Sequence, residues 1–445
     1  MGWLGRFRQK KIKRDGKEIK VFDFGRFSDA FKPLENYKNW EASLLLFDQG
    51  KRFAAFRQFF KYLMNEKGKN ITVSQLHGVL NFELIQGSKK IIGYINAQSI
   101  HAHAILIRSE EYPSNLLVEL LQENYNLKFC KFALGVEGGK HVLKLIADLP
   151  AKLTSPYKLF HVLRELALEA DKKDDLLLSE YKLSSSEYGQ LNEPLSEDKK
   201  NVLCSYIQRT FRKVLEVRDE HEIDTEEYPS AFRYLLLAAV YKVDFLVTPE
   251  GYLMDQFERI DGLAFSSQGM DSKEVNRQIV LIIQDILRID QNVIKQELYH
   301  TDATFSFNPV IQSAQIRDTI NSELPTMDWY LEKGYHEYAV AIVDFMVGYL
   351  LFNFIVPPPC KALFLLYYRI REPRHFKELE YSDLPFSDRE LSPSVIKKEV
   401  KSVLTGYDTG FPHLDVPTYL LEFETEAIFG KSFMEMVAEI NFTSK

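Results

Sequence analysis

The stretch Lys128–Tyr181 constrains this chain more than any other. Two strand-like runs, Phe129–Leu134 and His141–Leu149, flank the turn Val136-Glu137-Gly138-Gly139 and read as a hairpin. A helix follows with two start signals: Ser155 can cap it, and Pro156 suits its first position. Leu159, Phe160, Val162, Leu163, Leu166 and Leu168 then recur at helical spacing. A strand–turn–strand–helix unit needs further strands and an apolar face to rest on, and the residues before it must supply both.

Those residues have the required pattern. Trp40, Ala42, Leu44, Leu45 and Phe47, then Phe53, Ala54, Phe56, Phe59, Phe60 and Leu63, read as two helices turning at Asp48-Gln49-Gly50. Three strand candidates come next: Thr72–Ile85, Lys90–Ile95 and Ile100–Ile107. The turns Gln86-Gly87-Ser88-Lys89 and Asn96-Ala97-Gln98-Ser99 join them, and such short connections imply antiparallel pairing. Pro113 and Ser114 open another helix that ends near Tyr125. The expectation is an α+β fold: a five-stranded antiparallel sheet with helices on one face, followed by a mostly α-helical C-terminal domain.

The order helix, three strands, helix, two strands, helix over residues 37–181 resembles the type III secretion chaperones and the related YbjN-type domains. The residues that carry the resemblance are the Phe129–Leu134 strand, the His141–Pro150 strand with its LIADLP ending, and the helix read as ending in Asp171-Lys172-Lys173-Asp174-Asp175. It covers about a third of the chain. It implies a bacterial, non-enzymatic domain that binds protein segments, a secreted or unfolded one among them, and that is often dimeric. Such chaperones are usually small, acidic and free-standing, whereas some 250 further residues follow here.

The divisions expected are a basic irregular arm over 1–34, the α+β domain over 35–181, a polar Ser-rich linker over 182–199 and a helical domain over 200–445. In the last, Val202, Tyr206, Ile207, Phe211, Val214 and Leu215 form one stripe. Ala231–Val247, Val275–Ile289, Met327–Ile355, Cys360–Ile370, Ser392–Leu404 and Thr418–Ile440 read as helices, with Pro357-Pro358-Pro359 as a break. No fixed period marks a repeat array.

Charge and cysteine usage narrow the class. A net charge of −7 argues against a general nucleic-acid binder. Cys130, Cys204 and Cys360 are far apart and form no framework, which fits a cytoplasmic location. The arm carries Arg6, Arg8, Lys10, Lys11, Lys13 and Arg14 without an apolar run of signal-peptide length after it. Tyr338–Val356 is apolar enough to raise the question of a membrane span. Asp344 near its middle costs about 2.5–3.5 kcal/mol on insertion scales, so a buried core helix is the expectation and no integral membrane segment is.

The candidate sites are few. His101 and His103 share a sheet face and offer two metal ligands without a third at a suggestive spacing. His300, Asp302 and His336, with Glu332 and Glu337, form the best polar group of the helical half but match no hydrolase or metalloprotease motif. Glu137-Gly138-Gly139 sits in a hairpin and lacks the strand-to-helix context of a phosphate loop. No catalytic, cofactor or metal site is therefore expected. Asp174 and Asp175, read as standing at a helix end where the dipole disfavours carboxylates, are candidate partner contacts. Tyr335 and Tyr338, from a tyrosine-rich set in the late helices, are two more.

The function these readings favour is a non-enzymatic protein-binding module, chaperone- or adaptor-like, with a homodimer among the possible states. The alternatives are an enzyme of unknown activity with its site in the helical half, metal-assisted hydrolysis being one option, and a peripheral membrane protein, suggested by the basic arm and the long apolar helix.

Overall fold

A computed structural model describes residues 12–14, 17–19, 24–65, 68–181, 193–219, 225, 227–266, 269–300, 302–381 and 392–444. The chain is α+β, with an antiparallel sheet in the first part and a mostly helical region after it. The sheet has six strands, one more than expected. They are β1 (Ile71–Leu76), β2 (Val79–Gln86), β3 (Lys89–Ile95), β4 (Ser99–Ser109), β5 (Lys131–Glu137) and β6 (Lys140–Pro150), in the spatial order β1-β2-β3-β4-β6-β5. The extra strand arises because the run read as one strand, Thr72–Ile85, folds back on itself. His77 and Gly78 both take left-handed backbone, φ 48° and 78°, and make the two-residue turn.

Two helices precede the sheet, α1 (Leu34–Asp48) and α2 (Arg52–Leu63), and α3 (Ser114–Glu123) stands between β4 and β5. Helix α4 (Pro156–Tyr181) starts as its sequence dictates, with Ser155 Oγ accepting from Lys158 N at 3.2 Å. It lies across β2, β3, β4 and β6. Alternation along the strands points Leu80, Phe82, Leu84, Ile91, Ile100, Leu143 and Leu145 into one core with Phe56, Phe60, Leu116, Leu120, Leu159, Val162 and Leu166 from the helices. The opposite face of the sheet carries Glu83, Tyr94, His101, His103 and Asp148, exposed or half-buried. Helix α4 continues well past the point expected, so Asp171–Asp175 lie inside it and the helix-end argument for Asp174 and Asp175 fails.

The helical region begins with α5 (Glu197–Asp219), so the end of the expected linker is helix; residues 182–192 lie outside the described residues. Its core is built on α6 (Pro229–Val247) packed along α11 (His336–Asn353), surrounded by α7 (Gly251–Ser266), α8 (Ser272–Arg288), α10 (Ser313–Glu332), α12 (Pro358–Arg371), α14 (Pro393–Leu404) and α15 (Glu426–Glu439). The short helices α9 (Gln291–Gln296) and α13 (Pro373–Glu378) follow α8 and α12. The stretch Met327–Ile355 is two helices, broken where Gly334 takes φ 80°. Thr418–Ile440 is likewise a 3-10 turn, Thr418–Leu420, and then α15. Pro358 opens α12, where a missing N–H costs nothing. Among the described residues no helix is long and apolar enough to cross a membrane, and Ala339, Ile342, Val343, Met346, Val347 and Leu350 of α11 are core.

Two crossings tie the parts together. Residues 24–33, expected to be irregular, form a strap: Phe24 enters the helical core against Phe376, with ring centroids 5.1 Å apart, and Gly25 N donates to Phe245 O at 2.9 Å. Further along, Lys32 Nζ donates to Leu63 O at the end of α2. In the other direction, Phe305 leaves the helical region and joins the core of the sheet. Most of the basic arm lies outside the described residues; Ile12–Arg14 and Lys17–Ile19 pair as a short hairpin.

Candidate functional site

The sheet has two edges, β1 and β5, and the β5 edge carries exposed apolar side chains. Strand β5 is the last of the sheet, and the main-chain groups of alternate residues point away from β6. Phe132 is one of these outward residues, since its N–H meets the side chain of Asn124. By alternation Leu134 and Val136 are outward too, and Leu134 is 49% and Val136 66% exposed. Helix α3 lies on the same side. It buries Leu116 and Leu120 and turns Val118 and Leu121 to solvent, with Tyr125 just beyond its end. Phe129, at the entry to β5, is also exposed. Six large apolar side chains are thus exposed within twenty residues of sequence, more than single scattered apolar residues would give. At the end of the strand, Glu137 is gripped by Lys144 and by Arg108, the latter at 2.9 Å. The hydrogen bond from Lys144, with Arg108 beside it, holds the Glu137 carboxyl below the usual range despite some burial.

The opposite sheet face holds the histidine pair. Tyr94, His101 and Asp148 are cross-strand neighbours. The Tyr94 ring stacks on His101 at 5.5 Å, and His101 Nδ1 meets Asp148 Oδ1 at 2.6 Å. The His103 ring lies 5.3 Å from that of His101; burial lowers its pKa, helped by the charges of Lys144 and His101. Among the described residues no group of three or more His, Cys, Asp or Glu side chains is arranged to hold a metal ion.

In the helical half the polar group expected from the sequence is dispersed. His300 belongs to a two-residue strand, Tyr299–His300, paired with Glu193–Pro194; Asp302 receives a hydrogen bond from Gly87 N on its carbonyl; Glu332 ends α10, and His336 and Glu337 open α11. A different, buried charge network occupies the core. Asp344, 5% exposed, receives Lys242 Nζ at 3.1 Å and Tyr367 Oη at 2.7 Å, with Arg371 Nε 3.8 Å away. Lys242 also meets Glu372 at 2.7 Å, and Arg371 pairs with Glu426. Burial opposes the Lys242 charge, but Asp344 and Glu372 outweigh it and raise its pKa. Burial likewise opposes the Asp344 charge, but Lys242, Arg371 and Tyr367 hold its pKa below the ordinary value. Its charges are paired with one another, although the buried Arg371 Nε makes no hydrogen bond, and the network reads as packing. Beside it, His375 is fully buried against the Tyr206 ring at 3.9 Å, and burial pushes its pKa down to about 4.

The four expected partner-contact residues do not meet. Asp174 and Asp175 lie within α4, and their side chains are outside the described residues. Tyr338 is 2% exposed and stacks on Tyr330, with centroids 6.0 Å apart, while Tyr335 is half-buried beside both. Tyr338 is therefore core, and its ring is not presented to a partner. Sequence reasoning missed the free edge. Its only sequence signal was Val118, Leu121 and Tyr125 sharing a helical face distinct from that of Leu116 and Leu120. It also missed the insertion of Phe305, for which there was no signal.

No family model matches the chain, and no curated protein or solved structure matches it either.

Proposed function

We propose that the chain is a non-enzymatic protein-binding module, chaperone- or adaptor-like, and that the free edge of its sheet receives the partner. One observation carries this reading: on the edge strand β5 Leu134 and Val136 leave their main-chain groups without a strand partner and their apolar side chains exposed, and α3, joined to β5 through Asn124, leaves Val118 and Leu121 exposed. A strand edge left in that state is a template for another chain, and proteins that do not use it normally charge it, shorten it or cover it. A partner segment laid along β5 gains main-chain hydrogen bonds there and buries Val118, Leu121 and Tyr125. A second copy of this chain satisfies the edge equally, by antiparallel self-pairing about β5. The strand–turn–strand–helix unit of Lys131–Tyr181, which carries part of the resemblance to the secretion chaperones, supports this use, while the sheet has one strand more before α3 than that resemblance implies. The bacterial and cytoplasmic setting is part of the same proposal.

The test is affinity capture of the tagged full chain from native cells, beside a Leu121→Glu, Leu134→Lys double variant of confirmed fold. The reading expects a polypeptide, an untagged copy included, that co-purifies with the wild type and falls at least about tenfold with the variant. Equal recovery by both proteins refutes it.

A further inference from the structure

Residues 302–307 leave the helical half, cross into the α+β half and return, and their main chain is held almost wholly by groups of the α+β half. Gly87 N donates to Asp302 O at 3.1 Å. Gln86 Oε1 accepts from Thr304 N at 3.2 Å and Phe305 N at 2.9 Å, while Gln86 Nε2 donates to Phe305 O at 3.2 Å. Arg164 Nη2 donates to Ser306 O at 2.9 Å and Phe307 O at 3.1 Å. The Thr304 hydroxyl donates to Ile85 O at 2.7 Å and accepts from Asn70 Nδ2 at 3.1 Å. Phe305, 1% exposed, sits edge-on to Phe160 at 5.4 Å. Gln86 and Asn70 are themselves 1% exposed; the Gln86 carbonyl serves this segment, while Asn70 divides its amide between Thr304 and the α+β residues Leu63 and Asn65. The following residues are tied separately to the helical half, through Asn308 Nδ2 to Phe352 O at 2.6 Å and Ile311 N to Ile355 O at 3.2 Å.

We infer that the α+β half contains a second polypeptide-binding cleft, apart from the free edge, which residues 302–307 fill as an internal ligand. Its external ligand is a segment that can take the same bent course, with an aromatic residue between small hydroxyl residues. The chemistry follows from the occupant. Gln86 and Arg164 read main-chain groups that every polypeptide has, each taking groups of two consecutive residues, so they fix a bent backbone without regard to sequence. Selectivity comes from the hydroxyl socket of Asn70 and the Ile85 carbonyl and from the aromatic slot beside Phe160. An unfilled socket would leave buried amides unpaired, so a matching segment is favoured over a non-matching one. Because Asn308 and Ile311 hold the helical side independently, the internal ligand can leave the cleft while the helical core stays intact.

A labelled peptide of residues 300–309 tests this on the full-length protein. Thr304→Ala in the protein removes the hydroxyl of the internal ligand but not that of the peptide. It thereby raises the fraction of open clefts, and apparent affinity follows that fraction. The peptide is expected to bind the variant about tenfold more tightly than the wild type. The same peptide with Phe305→Ala is expected to lose binding to both. Equal peptide affinity for wild type and variant, or undiminished binding of the Phe305→Ala peptide, overturns the inference. A second measurement needs no variant. The Thr304 and Phe305 amides of the wild type are expected to exchange through local opening, at least about tenfold faster than those of Leu84 and Leu145 in the sheet. Exchange of all four only by global unfolding marks residues 302–307 as a fixed part of the core and overturns the inference.

Discussion

Asn124 holds both outward main-chain groups of Phe132: its Oδ1 accepts from Phe132 N at 2.7 Å, and its Nδ2 donates to Phe132 O at 3.4 Å. A side chain from the residue after α3 thus takes the place of a neighbouring strand for one residue of the edge and stops there. It sets where the open template begins. Asn124→Ala should lower stability by about 1–2 kcal/mol, seen as a lower urea midpoint at unchanged slope. It should also lengthen the open edge by the Phe132 groups. Sedimentation of the variant should therefore show more self-association than the wild type at equal concentration, and less association would speak against the edge being the sticky element.

The buried charge network predicts an asymmetry between breaking a pair and replacing it. Asp344→Asn leaves Lys242 and Arg371 without their shared carboxylate in the core. It should cost about 3–5 kcal/mol in chemical denaturation. Asp344→Leu combined with Lys242→Met should cost less than Asp344→Asn alone, since the two opposed charges leave the core together, Arg371 keeps Glu426, and only the partly exposed Glu372 loses its partner. The capture behaviour of the double variant should be unchanged, because the network is remote from β5.

His375 gives the pH dependence a definite sign. Burial lowers its pKa from 6.5 to about 4; Glu372 and Glu378 oppose the shift, and Arg209 adds to it. Between those values the unfolded chain binds a proton that the folded chain does not, so stability falls as pH falls. The contribution is fully present above pH 6.5 and is lost progressively toward pH 4, a change on the order of 3 kcal/mol. His375→Phe keeps a ring against Tyr206 and should flatten that part of the curve of unfolding free energy against pH.

Periodic features were legible in the sequence, and isolated ones were not. The helix start at Ser155-Pro156 and the hairpin at Gly138-Gly139 carry their own chemistry and fold as read. The turn at His77-Gly78 was hidden because left-handed backbone is uncommon at any single non-glycine residue, even at histidine, which takes it more readily than most, so Thr72–Ile85 looked like one strand. Gly334 broke Met327–Ile355 in the same unannounced way. Phe24 and Phe305 belong to no stripe, so nothing in their neighbourhood told which core each would enter. Tyr338 was legible only as a tyrosine on an apolar helix, which fits an interface and a core equally well until its 2% exposure is known. The free edge depended on strand order and on Asn124, and both are long-range properties of the folded chain.

Hydrogen exchange at the Leu134 and Val136 amides, compared between the full chain alone and the complex recovered by capture, bears most directly on the binding role. Partner engagement along β5 should slow both amides by about tenfold or more and leave Val73 and Gln75, whose amides face out from the opposite edge, unchanged. A complex in which Leu134 and Val136 exchange as fast as in the free chain, with protection appearing elsewhere, would contradict that role for the edge.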